Sequence, residues 1–193
     1  MDATEAQNRI RNIIDSETTA YFSNAELDEF LEMATDEFLQ QYYMAFETTQ
    51  DSRDKLEKLV IYEEEDISDA SPFNVGNLYY TYGRLLSVYV KDSPKVNVKV
   101  IQISDISSYL NDPFNKADSS NPVIYFSGGN LVSIGFSSTT KIVITYLKYT
   151  TTFTDLSMIT HEEVCQIAAR KVLATLGDAR YNAVQTEITE RRV

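Results

Sequence analysis

The sequence predicts an α+β protein. An N-terminal helical hairpin and a C-terminal helix pack as a helical bundle, and an antiparallel β-rich part is inserted between them. Three observations predict this. Between Tyr21 and Ile61 apolar residues recur at helical spacing with no proline or glycine. From Leu78 the chain becomes aromatic, β-branched and alternating. After Thr160 the helical period returns. The expected parts are a helical part over 1–70, a β-rich part over 71–155, a returning helix over 156–177 and a C-terminal arm over 178–193.

Ala6, Ile10, Ile13 and Ile14 share one face of a first helix over Ala3 to Ile14. Asp15 to Thr19 is polar and reads as a connector. Ser23 stands three residues before Glu26, the spacing of a capping box: the hydroxyl accepts one free helix N–H and the carboxylate reaches back to another. Leu27, Phe30, Leu31, Ala34, Phe38, Tyr42 and Phe46 then form one apolar stripe. Asp28, Glu29, Glu32, Asp36 and Glu37 form an acidic opposite face. A bend at Asp51-Ser52 leads into a shorter helix over Arg53 to Ile61.

Glu63-Glu64-Glu65-Asp66 interrupts the apolar pattern and reads as a solvated linker; it lacks the spaced oxygens and turn glycine of a calcium loop. Ser68 to Asn77, with Pro72 and Gly76, continues as loop. Leu78 to Val90 reads as one strand, or two with a kink at Gly83, with a helical turn over Leu78 to Leu86 left open. Lys95 to Ile103 alternates as a strand, and Asp105 caps a helical turn over Ile106 to Leu110 that ends at Asn111-Asp112-Pro113. Asn115 to Pro122 is polar loop.

Val123 to Phe126 and Leu131 to Phe136 flank Ser127-Gly128-Gly129-Asn130, the strongest hairpin signal in the chain. No helix and no Gly-Lys-Ser/Thr follows these glycines, so they are a turn and not a phosphate loop. Lys141 to Tyr149 is a strand in which Ile142, Ile144 and Tyr146 alternate with Val143, Thr145 and Leu147, so both faces are expected to be at least partly covered. Thr160 and Glu163 have capping-box spacing, Val164, Ile167, Ala168 and Val172 face inward, and Gly177 stops the helix. The arm from Asp178 to Val193 is too polar to order itself and is expected to be disordered or docked on a partner.

The bulk numbers narrow the function. With 193 residues, 43% hydrophobic and 24% charged, the chain can bury a proper core. No apolar run approaches the roughly 20 residues that span a bilayer. The polar, acidic start is unlike a secretory signal. One cysteine excludes an internal disulfide, and one histidine leaves little for a transition metal. The net charge of −12 is lopsided: residues 1–70 hold 19 acids and 5 bases, residues 71–193 hold 10 and 12. That balance argues against nucleic-acid binding by the helical part, since phosphate contacts need Lys and Arg. Acidic helix faces also simply keep proteins soluble.

No catalytic constellation emerges. His161-Glu162 begins a zinc-protease motif, but Cys165 occupies the position of the second histidine. Cys165 lies beside the apolar stripe, where a thiol is inert. The tyrosines fall mostly at packing positions. No cofactor is called for.

Several dispersed segments carry a family resemblance. They are Phe22 with Glu26 to Ala34, Glu37-Phe38, Tyr42-Tyr43, Phe46-Glu47, Gln50 and Asp54 to Leu56. They continue with Lys95 to Ile101, Asn111 to Lys116, Ile144 to Lys148, His161 to Glu163, Ala168 and Asp178 to Tyr181. Across nearly its full length the chain resembles the head–tail connector (adaptor or ring) proteins of tailed bacteriophages, and most closely a virion ring protein of crAss-like phages. The stretch from Thr150 to Thr160 is shorter than is common among them.

The resemblance implies a non-enzymatic virion protein, made in the host bacterial cytoplasm and carried at the portal vertex. It implies a homo-oligomeric ring of about a dozen copies that closes through head-to-tail contacts. The ring would bind the portal protein, extend the DNA channel without holding DNA specifically, and dock the next tail or ring protein. Asp178, Arg180, Tyr181, Ile188, Arg191, Arg192 and Val193 are then candidates for an arm that docks on a neighbouring subunit or the portal. Asp28, Glu29, Glu32, Asp36 and Glu37 are the candidate acidic face. The alternatives are another tail-ring or auxiliary virion protein, or a small metal-dependent hydrolase using Glu63 to Asp66.

Overall fold

The computed structural model describes residues 1–14, 22–91, 96–111, 114, 116–136 and 138–177. The expected connector Asp15 to Thr19, the proline stop at Asp112-Pro113 and the arm over 178–193 lie outside these residues. The protein is α+β, built from two compact units: 1–59 with 150–193, and 60–149. The sheet unit is an insertion in the helical one. Its boundaries fall at Leu59/Val60 and Tyr149/Thr150, not at 70/71 and 155/156. Residues 60–67 join the sheet, and the segment after Tyr149 buries Phe153 and Leu156.

In the helical unit α1 (Ala3–Ile14) buries Ala6, Gln7, Ile10 and Ile14. α2 (Asn24–Ala45) begins at the expected capping box: Ser23 Oγ accepts from Glu26 N, and Glu26 accepts from Ser23 N at 2.7 Å. It buries Leu27, Leu31, Ala34, Thr35, Phe38, Leu39 and Tyr42; Phe30 is half-buried and packs edge-on against Phe22. The next helix, α3 (Gln50–Leu56), starts earlier than expected because Thr49 caps it, accepting from Ser52 N at 3.2 Å. A 3-10 turn over Glu57–Leu59 then ends it. α5 (His161–Leu176) packs against α1 and α2. Val164, Ile167, Ala168 and Val172 are fully buried, each large aliphatic contributing about 1.5–3 kcal/mol. Gly177 closes α5 in the left-handed region, φ 66°, as expected.

The capping box expected at Thr160 does not form. Thr160 has helical backbone angles and its hydroxyl donates to Ser157 O at 2.7 Å. A 3-10 turn over Met158–Thr160 runs directly into α5, so Glu163 is released for a different contact.

The sheet unit contains two sheets. One has the order β1–β7–β3, with β1 (Val60–Ile67), β7 (Thr140–Lys148) and β3 (Tyr82–Val90) all antiparallel. β7 is central, and residues 142–147 are all buried, so both of its faces are covered as expected. The second has the order β2–β6–β5–β4: β2 (Phe73–Asn74), β6 (Asn130–Ile134), β5 (Val123–Ser127) and β4 (Lys99–Val100). The β5–β6 hairpin turns on Gly128 and Gly129, at φ 56° and 81°. β4 runs parallel to β5, so this part is mixed rather than purely antiparallel.

Glu63 to Asp66 is not a linker but the body of β1. The long strand expected over Lys95 to Ile103 shrinks to β4 because the segment changes partners. Val96 and Val98 bond to β3 (Val98 N to Val88 O, 2.9 Å), whereas Lys99 and Ile101 bond along β5 (Ile101 N to Ile124 O, 2.9 Å). Gly83 marks a bulge, a register shift between Tyr82 and Arg84. One apolar cluster takes side chains from both sheets, including Ile67, Val88, Val98, Ile124, Leu131, Ile144 and Tyr146. A smaller one forms under α4 (Ile106–Asn111), around Ile101, Ala117 and Val123.

Candidate functional site

α2 places the five predicted acidic side chains in differing surroundings. Glu29 and Glu32 are exposed. Asp28 is half-buried and accepts from Gln7 Nε2 at 2.6 Å, linking α2 to α1. Asp36 accepts from Gln40 Nε2 at 2.7 Å. Glu37 accepts from Arg170 and lies 2.7 Å from Lys171 Nζ, linking α2 to α5. Burial alone would raise the Glu37 carboxyl, but the hydrogen bonds from Lys171 and Arg170 outweigh it and hold it below its ordinary value. The acidic face is therefore open at Glu29 and Glu32 and tied into the bundle at Asp28 and Glu37. The seven predicted arm residues, Asp178, Arg180, Tyr181, Ile188, Arg191, Arg192 and Val193, lie outside the described residues.

The released Glu163 sits at the centre of a polar network that sequence reasoning missed. Its Oε1 accepts from Tyr42 Oη at 2.8 Å and its Oε2 lies 3.0 Å from Lys55 Nζ. Lys55 also donates to Tyr42 Oη at 2.7 Å and reaches Asp51 at 2.9 Å. Burial disfavours the Lys55 ammonium, but bonds to Tyr42, Asp51 and Glu163 outweigh it and raise its pKa. Burial, opposed by Lys55 and aided by Glu163, raises the Tyr42 phenol. These groups hold α2, α3 and α5 together. Nothing in the local sequence signals the pair: Lys55 stands between Asp54 and Leu56, and Glu163 between Glu162 and Val164.

In β1 the acids alternate. Tyr62, Glu64 and Asp66 are exposed, while Ile61, Glu63 and Glu65 are half-buried. Glu63 accepts from the Tyr146 hydroxyl and from Tyr79 N at 3.0 Å. Glu64 pairs with Lys91. Burial, then the neighbouring Glu63 and Asp66, raises the Glu65 carboxyl. The four acids are thus split between two sides of a strand. Among the described residues, no three His, Cys, Asp or Glu side chains converge as metal ligands.

His161 and Cys165 are both buried. The His161 ring lies 4.3 Å from that of Phe153. Burial, then the N-terminal ammonium, depresses its pKa. Burial pushes the Cys165 thiol up to about 12, with Glu162 adding to the shift, and its Sγ meets Met1 Sδ at 3.8 Å. A thiol so protonated is no nucleophile at neutral pH. No helix among the described residues is long and apolar enough to cross a membrane. No protein-family model matches the chain, and no curated protein matches it at a significant level.

Proposed function

We propose that this chain is a structural virion protein: the subunit of a connector ring below a phage portal, lining or flanking the DNA channel and docking the next tail component. The reading rests on the dispersed sequence resemblance. The observation that carries it physically is the charge distribution around α2. The helical unit holds 20 acids and 10 bases, the sheet unit 9 and 7. Glu29 and Glu32 present the excess negative charge to solvent. A surface of that sign repels phosphates and releases no counterions on meeting DNA, so DNA slides past it. Ring closure would come from heterologous contacts between copies, with the residues of the 178–193 arm as the proposed clasp on a neighbour or on the portal.

The test is light scattering of the full chain alone and mixed with the cognate portal, together with imaging of purified particles. The expected result is a ring of discrete stoichiometry on the portal and density for the chain at the portal vertex. A chain absent from purified particles and inert toward portal would overturn the proposal.

A further inference from the structure

The chain has one histidine, one cysteine and four methionines. The histidine, the cysteine and two of the methionines gather where α1 meets the start of α5. Cys165 is fully buried, and its Sγ stands 3.8 Å from Met1 Sδ. His161 lies one turn before Cys165 on α5, so the two side chains share a helix face. It is only 4% exposed, and neither nitrogen of its ring has a hydrogen-bond partner among the described residues. The ring rests against Phe153, centroids 4.3 Å apart, which keeps it turned away from solvent. A buried polar side chain without a partner is unfavourable and points to a ligand. Met1 and Met158 also line a shallow groove of about 500 Å³ along α1, with Glu5, Asn8, Arg9 and Asn12. The Arg9 guanidinium there is already paired with Glu162. Soft donors thus run from Met158, 71% exposed, through Met1 to the buried thiol.

We propose that Met1, His161 and Cys165 form a binding site for Cu(I), entered past Met158. Thiolate and thioether are the donors this soft ion selects, and imidazole suits it as well; hard cations take oxygens instead. The spacing fits. With metal–sulfur bonds of roughly 2.3 Å, two sulfurs at a tetrahedral angle stand about 3.8 Å apart. The charge fits too. Binding sends the thiol proton to solvent, and Cu⁺ with one thiolate is neutral, so no net charge is buried. Zn²⁺ on the same donors would leave a positive charge out of water. One nitrogen of His161 takes the ion. The Leu156 carbonyl, near enough to favour a ring N–H, orients the other. Copper stays Cu(I) throughout and no electron moves. The site lies within the helical unit and does not depend on the connector reading.

The experiment is an anaerobic titration of the full reduced chain, ¹³C-labelled at its methionine methyls, with Cu(I) supplied as its acetonitrile complex and with Zn(II) in parallel. Cu(I) should saturate at one equivalent, with thiolate-to-metal absorption appearing in the ultraviolet. The Met1 methyl and the His161 ring should shift together while the Met33 and Met44 methyls stay in place. The melting temperature should rise with Cu(I), as it does for any ligand held by the native state alone. C165A should abolish binding, and H161F should weaken it about tenfold or more. If H161F fails to fold, the Met1 shift and the melting temperature of the parent chain still decide. An unmoved Met1 methyl, a melting temperature lowered by Cu(I), Zn(II) bound as tightly as Cu(I), or a folded H161F that binds like the parent would overturn the proposal.

Discussion

Lys55 and Glu163 meet at 3.0 Å with side chains only 12% and 9% exposed, one from the short helix after the bend and the other from the last helix. Taking either charge out of water is unfavourable, and the opposite charge of the other offsets much of that cost. Glu163→Gln should therefore destabilise the helical unit by about 2–3 kcal/mol, somewhat below the usual loss for a broken buried pair because Asp51 still reaches Lys55. The double variant K55M/E163L should be less destabilised than the sum of the single ones, by at least about 1 kcal/mol. Urea unfolding followed by helical circular dichroism measures both. The pH sign follows from the raised Lys55 pKa. Its stabilisation is complete below the unfolded value, about 10.4, and is lost as pH climbs through the higher folded value. E163Q should lose less between neutral and strongly alkaline pH than the parent.

His161 gives the opposite dependence. Its folded pKa is depressed, so below about pH 6.5 the unfolded chain takes up a proton that the buried ring resists. Stability should fall with decreasing pH in that window by up to about 1.4 kcal/mol per pH unit, until the folded pKa is passed. H161F should flatten the curve between pH 6.5 and 5. Glu37 acts lower: its stabilisation is present above about pH 4.5 and fades as pH drops through its depressed folded value. Unfolding at a series of pH values separates the two.

Gly135 is the glycine least able to accept a side chain. Its φ is +108°, and a Cβ there would stand 2.7 Å from Asp118 O. Backbone cannot yield as a side-chain tip can, so G135A should destabilise the sheet unit by more than about 3 kcal/mol. At Gly128 φ is +56° and a Cβ would meet nothing within 4 Å. G128A should cost only about 1 kcal/mol, the intrinsic penalty of left-handed backbone. Thermal unfolding of the pair tests the difference.

Tyr146 is fully buried, and its hydroxyl donates to Glu63 on the neighbouring strand. Y146F leaves that carboxylate with one donor fewer and should cost about 1.5–3 kcal/mol. E63Q keeps an acceptor in place and should cost less. Equal losses in the two variants would place the penalty in packing instead of in the bond.

Legibility divides along local and non-local chemistry. Ser23 with Glu26, Gly128-Gly129 and Gly177 state their roles within a few residues, and the structure places each where expected. β1 was hidden because its inward positions carry Glu63 and Glu65 where apolar side chains were sought. Val60-Ile61-Tyr62 and the Ile61 to Ile67 period of two were the signal beneath the acids. The alternation over Lys95 to Ile103 was real, but pairing passes from β3 to β5 midway, which no local pattern encodes. Thr160 and Glu163 had the spacing of a cap, yet a buried lysine more than a hundred residues earlier in the chain claimed the carboxylate.

The interleaved layout also dictates a timetable on the ribosome. Val60 pairs with Leu147, so the strands that open and close the inserted unit are neighbours, and that unit is complete once residue 149 has emerged. α1 and α2 are translated first but must wait for α5, whose Val164, Ile167, Ala168 and Val172 appear last. During that interval Ile10, Leu27, Leu31 and Phe38 stay uncovered on the nascent chain, which makes the early helices the natural clients of a chaperone until translation passes Leu173.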